Sequence, residues 1–111
     1  MALNKYKAEK IYYSIKEVAE ILDVTTSALR VWEKNFDEVH PRRTSTGIRI
    51  YTKEDIDTIA KIRDLLKQRG MTINGAKQMM KNNPDQVDRS HELVTHLRNI
   101  RDELQSLIDN L

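Results

Sequence analysis

Cysteine is absent from the 111-residue chain, which excludes disulfides and thiolate zinc sites. Aromatic residues supply only 5%, and with so little bulky apolar material a deep enzyme pocket enclosed by a large fold is not expected. No apolar run reaches the ~20 residues needed to span a bilayer. Residues 1–10 are too charged for a secretory signal, so a cytoplasmic protein with no membrane partner is expected. Catalytic pairings are missing as well: scattered Ser, Asp and Glu are explained by helix caps and wet faces. His40 is isolated, and His91 and His96 stand five apart on different helix faces, so no metal, no cofactor and no enzyme activity are expected.

What remains is a charged chain, 39% hydrophobic and 32% Asp, Glu, Lys and Arg, long enough for one domain and an appendage. Its net charge of +2 is unevenly spread. Met1–Asn83 holds 16 Lys and Arg against 11 Asp and Glu, and Pro84–Leu111 holds 3 against 6. The first part can draw a polyanion and the last would be repelled by one.

Residues 1–12, with Lys5, Lys7 and Lys10, read as a basic arm. Ser14 and Glu17 then form a capping box ahead of Ile15, Val18, Ala19 and Leu22, one apolar helical face. After Asp23-Val24, residues Thr25 to Ser27 offer caps for a second helix reaching about Asn35. Leu29, Trp32 and Phe36 share its apolar stripe, with Ser27, Arg30, Val31 and Lys34 roughly opposite. Two short helices joined by a tight turn, the second with a polar front, form a helix-turn-helix whose front suits a major groove.

Beyond Pro41, residues 42–51 read as a hairpin turning near Ser45–Gly47. In its return strand Ile48 and Ile50 are expected to pack inward, leaving Arg49 and Tyr51 outside as part of a wing. Arg42, Arg43 and Arg49 around this turn suit phosphate clamping. Arg30 reads either as a base contact or as an anchor for Glu33. Trp32 suits core packing better than base stacking, and Tyr51 can pack its ring while its hydroxyl meets a phosphate.

Thr52 to Asp55 caps a long helix with Ile56, Ile59, Ile62, Leu65 and Leu66 on its stripe and Gly70 as its stop. Thr72 caps a shorter one to about Lys81, burying Ile73, Ala76, Met79 and Met80. Asn82-Asn83-Pro84 breaks the chain. From about Asp88 onward, Leu93, Leu97, Ile100, Leu104, Leu107 and Leu111 are spaced four, three, four, three, four, an a/d heptad seam. Such a seam predicts a homodimer, against a fold-back onto the chain's own domain. The expected layout is an arm at 1–12, a winged helix-turn-helix domain at 13–83 and a dimerisation helix at 84–111. The fold class is mainly α with a small β-hairpin.

The ordered set Ala28-Leu-Arg-Val-Trp-Glu33, Pro41-Arg-Arg43, Gly47-Ile-Arg-Ile-Tyr51, Asp55-Ile56 and Arg69-Gly-Met-Thr-Ile73 resembles the MerR family of bacterial transcription regulators over about residues 12–82. The resemblance implies a homodimer, with an antiparallel coiled coil, on a pseudo-palindromic promoter site, and RNA polymerase as a further partner. Carried over by position, helix contacts to double-stranded DNA fall on Thr26, Ser27, Arg30, Val31 and Trp32, with Lys34 beside them on the polar front. Wing contacts fall on Arg42, Arg43, Arg49 and Tyr51. Val31 departs from the pattern, since many members carry an aromatic there. An architectural, excisionase-like DNA-binding role and a protein-interaction adaptor are the alternative functions.

Overall fold

A computed structural model describes residues 11–111, so the lysines of the basic arm, at 5, 7 and 10, lie outside the described residues. The chain divides into two compact units, the first ending at Ile62 and the second spanning Arg63–Leu111. The architecture is mainly helical with one two-stranded antiparallel hairpin.

In the first unit, α1 (Ile15–Leu22) begins at the capping box foreseen from the sequence. The Ser14 hydroxyl accepts from the Glu17 amide at 3.2 Å, and the Glu17 carboxylate accepts from the Ser14 amide at 3.1 Å. Val18, Ala19 and Leu22 are buried. Asp23 ends the helix in the left-handed region, at φ 55° and ψ 51°, a conformation a short polar residue tolerates better than a branched one. Its reversal leads to Thr25, whose hydroxyl accepts from the Ala28 amide at 3.1 Å and starts α2 (Thr26–Asn35). Leu29 and Trp32 face the core, joined by Phe36 and Val39 from the segment that follows.

β1 (Arg42–Arg43) pairs with β2 (Arg49–Ile50), Arg42 opposite Ile50 and Arg43 opposite Arg49. The connecting turn closes through Gly47 N–H to the Thr44 carbonyl at 2.9 Å and Thr44 N–H to the Ile48 carbonyl at 2.8 Å. Gly47 sits at φ 85°, where a side chain would be strained.

The facing of β2 departs from the expected one at its ends, while Ile50 and Arg49 between them are both half-buried. Tyr51 is fully buried, Arg49 is half-buried, and Ile48 is exposed. The cause is a pairing remote in sequence: Tyr13 and Tyr51 exchange two backbone hydrogen bonds at 2.8 Å. That bridge, outside the two strands of the hairpin, pins Tyr51 to the segment ahead of α1, where both tyrosines are buried. Because side chains alternate along a strand, Arg49 follows the same side. α3 (Lys53–Arg63) starts at a second reciprocal cap, between Thr52 and Asp55, and buries Ile56, Ile59, Ala60 and Ile62.

In the second unit the chain passes through a wider π-type turn, Asp64–Gln68, instead of continuing as α-helix. The Arg69 amide reaches back to the Asp64 carbonyl and the Met71 amide to the Leu65 carbonyl, both at 3.0 Å. Gly70 supplies the left-handed residue at φ 63°. Thr72 then caps α4 (Ile73–Asn82), its hydroxyl accepting from the Gly75 amide at 3.0 Å. Ala76 is buried, whereas Ile73, Met79 and Met80 are half-buried.

α5 (Pro84–Asp109) opens on Pro84, where a missing N–H leaves nothing unsatisfied. It presents two distinct stripes. Val87, His91, Val94 and Arg98, spaced four, three and four, are buried or half-buried. About a third of a turn away, at 100° per residue, the heptad seam lies in water, its least exposed member being Ile100 at 39%. Among the described residues, no helix is long and apolar enough to cross a membrane.

Candidate nucleic-acid interface

The front of α2 is fixed by its back. With Leu29 and Trp32 held in the core, Ser27, Arg30, Val31 and Lys34 are exposed on the opposite side, and Thr26 is half-buried beside them. Among the described residues, Arg30 and Lys34 make no ion pair, and neither does Arg42 on the outer strand of the hairpin. These three cations are therefore available to an outside anion. Arg30 does not anchor Glu33.

Glu33 is instead held by the wing. Arg49 donates from Nε to Oε2 at 2.5 Å and Arg43 from Nη2 to Oε1 at 3.4 Å. The carboxylate, 17% exposed, thus joins α2 to both strands of the hairpin. Arg43 also donates from Nη1 to the Gly47 carbonyl at 3.3 Å, tying its own strand to the turn. Thr44 accepts from the Ile48 amide at 3.2 Å and lies 2.9 Å from the Thr46 hydroxyl. The wing is a braced loop that carries one exposed guanidinium, Arg42, and a second, Arg43, shared with Glu33.

Trp32 and Tyr51 are placed in the core and not on this face. The Tyr51 hydroxyl is buried without a hydrogen-bond partner among the described residues. Burial raises its pKa, and Glu33 adds to that, while Arg49, Arg30 and Arg43 pull the other way. The phenol stays neutral and works as packing. The structure therefore brings Ser27, Arg30, Val31, Lys34, Arg42 and Arg43 to a common unit with their side chains accessible. Arg49 lies just beneath, paired with Glu33.

Two groups were not singled out by sequence reasoning. Glu33 is one in its role toward the wing, since the sequence offered it only to Arg30; its position on the flank of α2, between the apolar stripe and the polar front, is the signal that it can reach a neighbouring element. The other lies in the second unit. Asp64, 2% exposed, meets Nδ1 of His91 at 2.6 Å, Nη2 of Arg63 at 3.1 Å and Nη2 of Arg98 at 3.5 Å. Asp64 falls one turn after buried Ala60 and His91 one turn after buried Val87, so helical spacing alone marks both as inward-facing. Among the described residues, no three His, Asp or Glu side chains converge as metal ligands would.

A helix-turn-helix whose second helix is backed by a hydrophobic core, followed by a two-stranded wing and a helical unit, defines the class: a winged helix-turn-helix protein. Residues 13–83 match the family described as MerR HTH family regulatory protein. The chain belongs to that family. It is 30% identical over 91 residues to the HTH-type transcriptional regulator MlrA of Escherichia coli K12, covering 78% of this chain and 37% of that protein. With the HTH-type transcriptional repressor CarH of Myxococcus xanthus it shares 31% over 68 residues, 61% of this chain and 22% of the other. The chain thus spans well under half the length of both. It also aligns with the HTH-type transcriptional regulator CueR of Escherichia coli O157:H7, at 26% over 104 residues, 88% of this chain and 77% of that one. Among solved structures, a MerR-family transcriptional regulator from Bacillus cereus superposes with a TM-score of 0.57 at 23% identity, over 90% of this chain and 79% of the other. One from Bacillus thuringiensis gives 0.51 at 24%, over 91% and 100%. At these identities the likeness speaks for the fold.

Proposed function

We propose that the chain is a sequence-specific double-stranded DNA-binding transcription regulator that acts as a homodimer on a pseudo-palindromic promoter site, in the bacterial cytoplasm and beside RNA polymerase. The observation that carries this reading is the free basic front of α2 held at a fixed distance from an arginine-bearing wing by Glu33. The α2 front enters the major groove, where Ser27 and Arg30 meet base edges, Arg30 as a bidentate donor to guanine. Lys34, Arg42 and Arg43 meet phosphates, which set register and supply most of the affinity.

The homodimer rests on the two stripes of α5. The face that the second unit buries is Val87, His91, Val94 and Arg98, so the leucine seam is not consumed by a fold-back. Six large apolar residues in a/d spacing are left in water, and a second copy covers them with its own. The acidic balance of this segment keeps it off the polyanion.

The test is duplex binding across a salt series after selection from a random pool. Log affinity should fall with log salt, with a slope of about −0.9 per phosphate neutralised. Arg42→Ala should flatten it by about one contact and weaken all duplexes alike, whereas Arg30→Ala should change which sequences are retained. Enrichment of an inverted repeat supports the dimeric promoter reading; indifference to every duplex overturns it.

A further inference from the structure

Of the four exposed residues on the α2 front, Ser27, Arg30 and Lys34 offer hydrogen bonds or charge and Val31 offers neither. Val31 is 45% exposed. An exposed valine by itself is ordinary. This one stands inside a reading face, one turn after Ser27, next to Arg30 and one turn before Lys34. Its conformation is narrowed as well. A β-branched side chain in a helix has one strongly preferred χ1, and the Val31 carbonyl accepts from Nδ2 of Asn35 at 2.8 Å, which holds the last turn of α2. One rotamer of its two methyl groups is therefore strongly favoured, with little conformational freedom left to lose. The small side chain of Ser27, four residues earlier on the same face, leaves room for a group to approach them.

The major groove displays one apolar feature among its polar base edges, the C5-methyl group of thymine. A rigid apolar knob amid polar neighbours gains nothing from any other base edge, and it strips water from donors and acceptors it cannot replace. We propose that Val31 is a specificity-determining residue that selects thymine through its C5-methyl group, at a base pair neighbouring the one that Arg30 reads. The assignment rests on the DNA-binding reading above, and it names one letter of the sequence that reading requires.

Deoxyuridine differs from thymidine by that methyl group alone, so a uracil scan isolates the contact. Each thymine of a selected duplex is replaced singly by uracil, and affinity is measured for the full-length protein and for Val31→Ala and Val31→Thr. Uracil should weaken the wild-type protein about threefold to fivefold at one position within the α2 footprint, the worth of one buried methyl group. Val31→Ala should bind the thymine and uracil duplexes nearly alike. Val31→Thr, which keeps one methyl and the branched shape, should retain part of the difference. Ala is a good helix former at an exposed site, so the variant stays folded, and unchanged salt dependence on an unselected duplex checks that it does. A flat uracil scan, or a uracil effect untouched by Val31→Ala, overturns the assignment while leaving DNA binding intact. Failure to bind any duplex overturns the parent reading instead.

Discussion

Asp64 gathers the His91 imidazole and the guanidinium groups of Arg63 and Arg98 around one buried carboxylate. Burial alone would raise its pKa, but the His91 hydrogen bond and the Arg63 guanidinium outweigh it and hold the carboxyl below its ordinary 3.8. A carboxyl depressed in the folded state stabilises the fold above its unfolded pKa, and that contribution is lost as pH falls through the folded value. The urea midpoint of the full chain should therefore drop as pH is lowered below about 4, where the unfolded carboxyl begins to take up its proton. Asp64→Asn should remove that part of the acid sensitivity and, by leaving two half-buried guanidinium groups without their counter-charge, should destabilise the protein by about 3 kcal/mol at neutral pH. Parallel acid limbs in wild type and variant would show that the carboxyl is not linked to folding. None of this was visible in the pattern of charges along the chain. The two partners stand 27 residues apart, and a charged residue on a helix flank is ordinarily solvated.

At the scale of elements, the parts legible in the sequence were those decided locally. The Ser14–Glu17 and Thr52–Asp55 boxes and the Thr25 and Thr72 caps are contacts three residues apart, so the letters that make them lie side by side. The burial of Leu29, Trp32 and Phe36 followed from helical period in the same way. The facing of β2 did not, because strands of two residues hold too little pattern to set a side, and the Tyr13–Tyr51 bridge that sets it joins residues 38 positions apart. The partners of Glu33 were not legible for a similar reason, lying ten and sixteen residues onward. Its exchange of Arg30 for Arg43 and Arg49 changes what the arginines do: one carboxylate couples α2 to the hairpin. Glu33→Ala should lower stability by about 1–3 kcal/mol, because two guanidinium groups lose a shared and mostly buried acceptor. It should also speed amide exchange at Thr44 and Gly47, whose turn Arg43 helps to brace. Unaltered exchange in that turn would mean that the hairpin stands without the carboxylate.

For the whole molecule, the division of α5 into a consumed stripe and an open one sets the expectation for assembly. Leu97→Asp with Leu104→Asp places two charges at seam positions that are mostly exposed. Light scattering should then give the mass of one chain, with thermal stability of the monomer little changed and binding to an inverted repeat falling by at least a hundredfold as the two half-sites lose their linkage. A dimer of unchanged mass would place the interface elsewhere. The position of Val87, His91, Val94 and Arg98 makes this a clean test, since none of those inward residues is touched.

Every residue of α5 from Asn99 to Asp109 is exposed. Three turns of helix bathed in water on all sides are marginal by themselves, so the far end of α5 is only as ordered as whatever lies against it. Helix content is then a gauge of crowding: dilute chains should shed circular dichroism signal from this tip, and concentrated ones regain it. Order at the tail becomes a ledger of how many copies have met.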